Sequence, residues 1–337
     1  MQIQENVSLK PYNTFGIDVP ASHFLEVRSI DTLREALLRK DLPPPFVLSG
    51  GSNILLTAPL NALVLYIDLR GREVLQEDAG EVVIRAMAGE NWHELVMWTL
   101  DRGFGGIENL ALIPGKAGTA PIQNIGAYGV ELKDVFEACT AMEIKTGALK
   151  RFTREQCRFG YRDSFFKREG KGRFIILSLE LRLTRDNHRL STSYGAIEAE
   201  LGAKNISDPS PGDIAEAVID IRRRKLPDPS RLGNSGSFFK NPVIPESLFE
   251  KLREQHPDMP GYPQKDAGVK VPAGWLIEKC GLKGYRSGDA GVHRNQALVL
   301  VNYGTARGED ILQLARHIQA TVQERYSIAL QPEVNII

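Results

Sequence analysis

The order of hydrophobic and polar positions in the N-terminal part of the chain predicts a β-rich region with one helix packed on it. Apolar runs typical of strands occupy residues 21–27, 62–69 and 81–89, and residues 46–56 are predicted to form a strand, a tight turn and a second strand. Residues 31–40 have apolar positions at helical spacing, with Asp31 as a candidate N-cap. Prolines at positions 43–45 cannot continue a helix, so we expect the helix to end before them.

The middle of the chain changes from a helical pattern to a glycine-punctuated one. Apolar spacing from Trp92 to Leu100 predicts a helix, and strands are predicted at residues 138–145 and 174–184. Residues 106–132 follow no sustained period, yet they are not polar enough for a linker. A long stretch of this kind is typical of a functional loop that packs closely around another group.

The C-terminal third begins with a predicted helix that Asp213 can cap and that two prolines, at positions 227 and 229, end. We place a domain boundary near Pro211. Further helices are predicted at residues 245–255, 272–282 and 309–326, and strands at residues 296–302 and 329–337. The stretch "RLGNSGSFFKNP" (residues 231–242) is typical of a glycine-rich loop that meets a buried edge at its two phenylalanines.

The composition is that of an ordinary globular protein. Across 337 residues, 42 Lys and Arg balance 42 Asp and Glu, so broad attraction to nucleic acid or to an anionic membrane is not expected. Cys139, Cys157 and Cys280 are far apart and odd in number, which fits a reducing compartment better than a disulfide framework. Because we find no signal-peptide pattern and no bilayer-length apolar run, we expect a cytoplasmic protein. No histidine spacing typical of a metal site occurs, so no metal is assigned.

Two glycine-rich turns are candidates for a cofactor site. The sequence "GGSN" (residues 50–53) follows an apolar strand, and glycines let successive N–H groups point at phosphate oxygens. It leads into another strand and lacks the G-x-G-x-x-G spacing, so taken alone it is better interpreted as a tight hairpin. Residues 115–129 carry four glycines beside the hydrogen-bonding side chains of Thr119, Gln123, Asn124 and Tyr128, and a structural Ω-loop is the alternative there. Together the two turns favour a nucleotide cofactor with a diphosphate.

Three charged regions have two interpretations each. Arg162 lies among aromatic residues, so its partner is either the neighbouring Asp163 or a substrate carboxylate. The basic run at residues 222–225 ends a helix, where it either interacts with the helix dipole or supplies one phosphate-binding side chain. Glu333 follows a proline in an apolar strand, so it is either at an edge in water or else paired or protonated.

Six motifs occur together in the order of one known family. They are "NTFGI", "GGSN", "PIQNIGAYGVEL", "CRFGYRDS", "GNSGSFFKNP" and the C-terminal "PE". Through them the sequence, from Asn13 to its last residues, resembles the UDP-N-acetylenolpyruvoylglucosamine reductase family. The segment "STSYGAIEAEL" around Tyr194 resembles an extra loop found in one of the family's two structural types.

The resemblance implies an α+β fold like that of vanillyl-alcohol oxidase and p-cresol methylhydroxylase. Two α+β subdomains would hold FAD, and a C-terminal α+β domain would bind the substrate. We therefore predict a first FAD-binding subdomain at residues 1–70, joined by a terminal strand at residues 328–337. The second FAD-binding subdomain is predicted at residues 71–210 and the substrate-binding domain at residues 211–327.

The resemblance also implies a reaction in two halves. NADPH gives hydride to FAD and leaves, and UDP-N-acetylglucosamine enolpyruvate then accepts the hydride and becomes UDP-N-acetylmuramate for bacterial peptidoglycan. Arg162 and Glu333 match the residues that stabilise charge on the carboxylate side, and Ser237 matches the proton donor. The matching FAD contacts are Gly50, Gly51, Ser52, Asn53, Thr119, Gln123 and Tyr128. The matching UDP-sugar contacts are Tyr194, Lys225, Asn241 and Gln296, and we expect a monomer.

The sequence departs from the family pattern at two positions. Asn335 stands where many relatives carry Arg, and Ala120 stands where a second hydroxyl is common. If the arginine helps to hold the flavin, either another group fills its role or the flavin potential differs. Two other functions are compatible with parts of the pattern, a flavin oxidase that uses O₂ and a non-catalytic flavin or UDP-sugar sensor. The presence of all three catalytic candidates favours the reductase over both.

Overall fold

The computed structural model of the chain describes residues 1–264 and 268–337. Its α-helices are α1 (Ile30–Leu38), α2 (Trp92–Leu100), α3 (Arg154–Cys157), α4 (Gly195–Ala203), α5 (Pro211–Lys225), α6 (Glu246–Gln255), α7 (Ala273–Lys279) and α8 (Gly308–Tyr326). Its strands are β1 (Gln4–Ser8), β2 (Pro20–Val27), β3 (Pro45–Leu48), β4 (Ile54–Leu55), β5 (Leu60–Ile67), β6 (Arg72–Glu77), β7 (Glu81–Met87), β8 (Gly126–Ala127), β9 (Val130–Glu131), β10 (Phe136–Glu143), β11 (Leu149–Thr153), β12 (Phe174–Thr184), β13 (Gly233–Ser237), β14 (Val243–Ile244), β15 (Tyr262–Pro263), β16 (Val269–Lys270), β17 (Arg286–Ser287), β18 (Ala290–Val292), β19 (Val299–Asn302) and β20 (Asn335–Ile336). No helix in the described ranges combines the length and the apolar character that crossing a membrane requires.

The chain forms two compact units. Unit 1 contains Met1–Val7, Ala21–Gly50 and Asn61–Arg224, and unit 2 contains Ser8–Pro20, Gly51–Leu60 and Lys225–Ile337. The change of unit near the C-terminal third falls at Lys225, at the end of α5, and not at residue 211 where we had placed a boundary. The division into two flavin subdomains and a substrate domain stays a prediction.

Unit 1 contains two larger sheets and a short hairpin. Strands β1, β2, β5 and β3 form the first sheet in that order, with β3 and β5 parallel. Strands β11, β10, β12, β7 and β6 form the second sheet, which is antiparallel throughout. The hairpin of β8 and β9 lies inside the glycine-punctuated stretch. The strands predicted at residues 81–89, 138–145 and 174–184 correspond to β7, β10 and β12.

Helical periodicity explains how the helices of unit 1 cover these sheets. Helix α1 buries Leu33 and Ala36, which are three residues apart and pack with residues of β2 and β5. Helix α2 buries Trp92, Leu95 and Val96 in a second core that also contains the apolar face of α5. Burial of each such large side chain contributes about 1.5–3 kcal/mol.

Unit 2 is built from short strands and one long helix. Strands β13, β19, β18 and β17 form an antiparallel sheet, and β14, β16 and β15 form a second one. Helix α8 buries Ile311, Leu314, Ile318 and Val322 at helical spacing and packs on β18 and β19. Strand β4 pairs in parallel with β20, so residues far apart in sequence close this unit.

Two helix caps differ from the predictions. Ser29, not Asp31, caps α1, because the Ser29 hydroxyl accepts a hydrogen bond from the Thr32 N–H at 3.1 Å. At α5 the Ser210 hydroxyl accepts from the Asp213 N–H (3.2 Å), and the Asp213 carboxylate accepts from the Ser210 N–H (2.7 Å). Asp213 is therefore the reciprocal partner in the first turn, not the cap itself.

Three other local interpretations are corrected. The turn at residues 50–53 is not a hairpin, because β3 pairs with β5 while β4 pairs with β20. The predicted loop at residues 231–242 begins with a strand, β13. The predicted terminal strand at residues 329–337 is reduced to β20 and an isolated bridge between Phe239 and Pro332.

Candidate active site

The two glycine-rich turns approach each other within unit 1 at the level of the main chain. A Cβ atom at Gly50 would lie 3.0 Å from Gly115 Cα and 3.4 Å from Lys116 N. A Cβ atom at Gly118 would lie 2.5 Å from the Cβ of Ala88. A side chain at Gly118 would therefore clash, and a side chain at Gly50 would press against the main chain of the second turn. Glycine-rich turns of this kind are suited to a diphosphate, because its oxygens can accept hydrogen bonds from main-chain N–H groups.

The rest of the first turn belongs to unit 2, where it is fastened to the C-terminal segment. Gly51 has a φ of 59°, and a Cβ atom there would lie 2.0 Å from the Tyr12 carbonyl oxygen. The Asn53 carbonyl accepts hydrogen bonds from both the N–H (3.1 Å) and the side-chain amide (2.9 Å) of Asn335. The Asn53 side chain in turn donates to the Glu333 carbonyl at 3.3 Å. Asn335 therefore holds the turn and the Glu333 segment together.

Arg162 lies in a tight turn that polar side chains clamp. Gly160 and Asp163 exchange two main-chain hydrogen bonds (3.0 and 3.2 Å) around it, and Arg162 itself has a φ of 53°. Asn124, which is fully buried, donates to the Gly160 carbonyl at 3.0 Å, and Lys167 donates to the Arg162 carbonyl at 3.1 Å. The turn therefore holds a left-handed backbone conformation because its flanks are fixed.

The Arg162 guanidinium lies near a second one, from Arg222 on α5. Arg162 Nη2 donates to the Gly126 carbonyl at 2.9 Å. Arg222 forms a hydrogen bond with Tyr128, and burial together with the charge of Arg162 lowers the pKa of Arg222. Its Nε is buried and has no hydrogen-bond partner among the residues described. Two neighbouring guanidinium groups repel each other, so an anion bound beside them would be stabilised.

Asp163, the other partner considered for Arg162, pairs with Arg168, whose Nε lies 3.1 Å from its carboxylate. The Asp163 carboxylate also accepts the Ser164 N–H at 2.9 Å. These two contacts give Asp163 a structural role beside Arg162, and this role does not require a ligand.

The UDP-sugar candidates occupy two kinds of position. Tyr194 is exposed and meets Tyr128 edge to face, with ring centroids 5.3 Å apart. Lys225, at the end of α5, is also exposed. Asn241 accepts the Ala273 N–H at the start of α7 (3.0 Å), so its side-chain oxygen caps a helix. A side chain at the neighbouring Gly274 would come within 3.4 Å of the Gln296 amide oxygen, so Asn241 and Gln296 lie around the same helix end.

Ser237 ends strand β13 beside a bulge. The register of β13 against β19 shifts between Asn234 and Ser237, and Gly236 within the bulge has a φ of 68°. The Gly236 N–H donates to the Asn234 side chain at 3.0 Å. Ser237 is exposed, whereas Phe238 and Phe239 are buried. The bulge therefore presents the serine hydroxyl at the surface directly before an aromatic anchor.

Glu333 lies opposite the chain segment that follows Ser237. The Glu333 N–H donates to the Phe238 carbonyl at 2.8 Å, and the Lys240 N–H donates to the Gln331 carbonyl at 2.9 Å. Residues 331–333 therefore run antiparallel to residues 238–240. This pairing brings Ser237 and Glu333 close together within unit 2, and Glu333 itself is half-buried.

Comparison with known proteins agrees with this arrangement. The profile of the UDP-N-acetylenolpyruvoylglucosamine reductase C-terminal domain matches residues 228–337, and an FAD binding domain profile matches residues 21–153. The UDP-N-acetylenolpyruvoylglucosamine reductase of Flavobacterium johnsoniae is 53% identical over 100% of both chains. The chain belongs to the UDP-N-acetylenolpyruvoylglucosamine reductase family. A reductase of the same name from Pseudomonas fluorescens is 51% identical over 100% of this chain and 99% of its own.

A solved structure of the reductase family extends the comparison to three dimensions. The crystal structure of the UDP-N-acetylenolpyruvylglucosamine reductase from Thermus caldophilus has a TM-score of 0.68 and 26% identity, over 100% of this chain and 99% of that chain. Membership of the reductase family confirms the predicted α+β flavoprotein fold, FAD as the cofactor and the assignment as an oxidoreductase. The roles of individual residues stay predictions.

Sequence reasoning missed Arg222 as part of the site, and it identified Asn124 only as a hydrogen-bonding group of the second glycine-rich turn. Arg222 was treated as one member of a basic run on a solvated helix end. A signal was present, because Arg222 continues the four-residue series of the buried Ile214 and Val218 and therefore lies on the buried face of α5. The support that Asn124 gives to the Arg162 turn carried no signal of its own, since its hydrogen bond to the Gly160 carbonyl joins positions 36 residues apart.

Proposed function

We propose that this chain reduces the enolpyruvyl double bond of UDP-N-acetylglucosamine enolpyruvate, with NADPH as hydride donor, and so forms UDP-N-acetylmuramate for bacterial peptidoglycan. The observation that carries the proposal is the match to named reductases along the whole chain at about half identity. When bound, FAD supplies a hydride carrier between NADPH and the methylene carbon of the substrate.

The residues proposed to hold FAD belong to the two glycine-rich turns. They are Gly50, Gly51, Ser52, Asn53, Thr119, Gln123 and Tyr128. The close main-chain approaches at Gly50 and Gly51 support this role, because residues without a side chain let the backbone of the turn pack tightly enough to form a ligand-binding surface. Hydroxyl and amide side chains beside the glycines can complete the hydrogen bonds.

Arg162 is proposed to bind the carboxylate of the substrate. Hydride addition to the methylene carbon leaves negative charge on the neighbouring carbon, from which it spreads into this carboxylate. The guanidinium can meet a carboxylate with two parallel N–H groups, and its clamped turn keeps it in place as the charge develops. Arg222 adds a second positive charge to the same region. Glu333, in its protonated form, is proposed to donate a hydrogen bond to the same carboxylate.

Ser237 is proposed to give the proton that completes the reduction. The proton goes from its hydroxyl to the carbon beside the carboxylate, and water returns a proton to the serine. A serine hydroxyl is a weak acid, so its position against a strongly basic carbon matters more than its resting acidity. The bulge of β13 and the buried phenylalanines that follow support such a fixed position.

The nucleotide-sugar is proposed to contact Tyr194, Lys225, Asn241 and Gln296. The exposed ring of Tyr194 and the exposed ammonium of Lys225 are accessible to a ligand. Asn241 and Gln296 lie together at the start of α7. We further propose that the protein acts as a monomer in the cytoplasm, in keeping with its three free cysteines.

An absorbance experiment tests the proposed reaction. The purified protein should show a flavin spectrum, and anaerobic NADPH should bleach it. Addition of UDP-N-acetylglucosamine enolpyruvate should then restore the spectrum in stoichiometric amount, with UDP-N-acetylmuramate as the product. A protein that shows no flavin absorbance even after incubation with FAD would rule the proposal out. Reoxidation by O₂ with peroxide release, and none by the UDP-sugar, would favour an oxidase.

A further inference from the structure

A lysine is buried in the second glycine-rich turn, directly after Gly115. Lys116 is only 7% exposed, although lysine is almost never buried unless its charge is paired. Its Nζ donates to the Ile67 carbonyl at 3.0 Å and to the Asp68 carboxylate at 2.9 Å. The ammonium also lies 4.0 Å from the centre of the Tyr66 ring, within range of a cation–π interaction. The Lys116 side chain therefore contacts three consecutive residues, Tyr66, Ile67 and Asp68, where β5 ends.

Asp68 is itself fixed to the sheet. Its N–H donates to the Val27 carbonyl at 2.9 Å, and Arg70 forms a second ion pair with its carboxylate at 2.7 Å. Burial alone would raise the pKa of Asp68, but the hydrogen bonds from Lys116 and Arg70 outweigh burial and hold it below 3.8. The lysine is thus anchored to an ionised carboxylate that cannot move away.

The main chain of Lys116 lies at the centre of the turn that it anchors. Its carbonyl accepts both the N–H (3.1 Å) and the hydroxyl (2.8 Å) of Thr119. On one side Gly115 makes the close approach to Gly50, and on the other Ala117 donates to the Glu90 carbonyl at 2.8 Å. Movement of the lysine would therefore shift the glycine contact and Thr119 together.

We propose that Lys116 is a positioning residue for FAD. Its ammonium, held by Asp68 and the Ile67 carbonyl, fixes the separation of the Gly50 and Gly115 main chains and the place of Thr119. It does so without contacting the phosphates. The inference rests on the placement of FAD at these turns that is proposed above.

The surroundings of Nζ distinguish positioning from direct phosphate binding. An ammonium has three donors, and two of them are used on Ile67 and Asp68 while an aromatic ring covers another side. The neighbouring carboxylate also neutralises its charge. A lysine that served as a phosphate ligand would present Nζ to the turn, whereas this one presents Nζ to the sheet.

Release of FAD from diluted holoenzyme tests the proposal, because flavin fluorescence reports the dissociation constant without any turnover. We expect Lys116→Met to weaken FAD binding about tenfold, the effect of one lost charge-assisted hydrogen bond. We expect Asp68→Asn to weaken it by a similar factor. The double variant K116M/D68N should bind FAD no worse than either single variant, because both changes remove the same contact. Lys150→Met, at an exposed lysine that also lies over an aromatic ring, is the matched control and should bind FAD like the wild type.

The outcomes separate this inference from the proposed function. Wild-type protein that holds no FAD contradicts the proposed function. If the wild type holds FAD and Lys116→Met binds it with the same dissociation constant, only the positioning role is overturned. The role is also overturned if Lys116→Met weakens FAD binding while Asp68→Asn leaves it unchanged or tightens it, because Nζ would then act on the phosphates directly. Should Lys116→Met fold poorly with an uncompensated buried carboxylate, the double variant still decides the question.

Discussion

Arg162 and Ser237, two residues with proposed roles in the same reaction, are fixed by opposite means. The Arg162 turn in unit 1 is held by polar side chains, with Asn124 on one flank and Lys167 on the other. Ser237 in unit 2 is held by main-chain pairing and by the burial of Phe238 and Phe239.

The difference follows from what each side chain must do. A guanidinium that binds a carboxylate needs a polar environment, and a polar clamp fixes its backbone without burying its charge in an apolar one. A serine hydroxyl has a single rotatable bond before its oxygen, so a rigid backbone places it almost completely. An apolar anchor is sufficient for serine, but it would be costly for arginine. The two residues should therefore respond differently to loss of their supports.

The largest effect should come from the apolar anchor. We expect Phe239→Ala to lower the free energy of unfolding by about 3–5 kcal/mol, because Phe239 is fully buried against Phe238. Chemical denaturation measures the change. Tyr262→Ala, at an exposed aromatic residue of the same unit, is the control and should change stability by about 0.5 kcal/mol or less. Equal losses in the two variants would contradict the anchoring role.

Removal of the hydroxyl itself should affect only one half of the reaction. In Ser237→Ala we expect NADPH to bleach the flavin at the normal rate, while reoxidation by the enolpyruvyl substrate slows at least about a hundredfold. The reason is that the proton is needed only after the substrate has accepted hydride. Stopped-flow absorbance separates the two steps, and equal slowing of both would sink the assignment.

The polar clamp should matter next. Asn124→Ala removes three hydrogen bonds at a buried position and should cost about 1–3 kcal/mol of stability. Because the Arg162 turn loosens, KM for the enolpyruvyl substrate should rise as well. Asn124→Asp retains the acceptor for the Lys133 N–H but loses the donor to Gly160 and to Glu131, so it tests the two donated hydrogen bonds apart from the accepted one. If Asn124→Asp has wild-type KM, the contact with Gly160 does not position Arg162.

A smaller loss of substrate affinity should follow from the second guanidinium. We expect Arg222→Met to raise KM for the enolpyruvyl substrate about tenfold, because one positive charge beside the bound carboxylate is lost. Arg223→Met, on the exposed side of the same helix, is the matched control. Steady-state kinetics at constant ionic strength measures both variants, and the same KM in both would remove Arg222 from the site.

The buried ion pair of Asp68 with Lys116 and the apolar anchor at Phe239 should also differ in how their contribution to stability responds to acid. The pKa of Asp68 is held below its ordinary value of 3.8, so its ion pairs stabilise the fold above that pH and are lost as the pH falls through the folded value. Asp68→Asn should therefore flatten the stability profile at its acid end, by an amount smaller than the other effects. Phe239→Ala should instead lower the whole profile by a constant amount. Unfolding measured between pH 3 and 7 compares the two shapes.

Local patterns predicted the elements of this fold better than they predicted its partners. The strands β5, β7 and β12 could be predicted because burial on a sheet requires apolar residues along most of each strand. The pairing of β4 with β20 could not be predicted in this way, since two-residue strands have no readable period. For that reason the turn at residues 50–53 was interpreted as a hairpin.

The candidate site shows the same limit. Arg162, Ser237 and Glu333 were found through a resemblance of motifs, and their individual roles still await the tests above. Asn241, which stays a candidate for the nucleotide-sugar, also caps α7 with its side-chain oxygen, and this contact depends on a residue 32 positions away. The contact of Asn124 with Gly160 could not be predicted, because it joins segments that meet only in the folded chain.

The pairing of β4 with β20 has a consequence for how the protein is made. The Thr57 N–H donates a hydrogen bond to the Ile337 carbonyl, which is synthesised only after 280 further residues. At ordinary rates of synthesis this is a delay on the order of 15 to 60 s. Throughout that time Leu55 and Leu56, both buried in the finished protein, lack the partner that covers this edge. The segment beside the proposed flavin turn is therefore where we expect a nascent chain to need protection from aggregation.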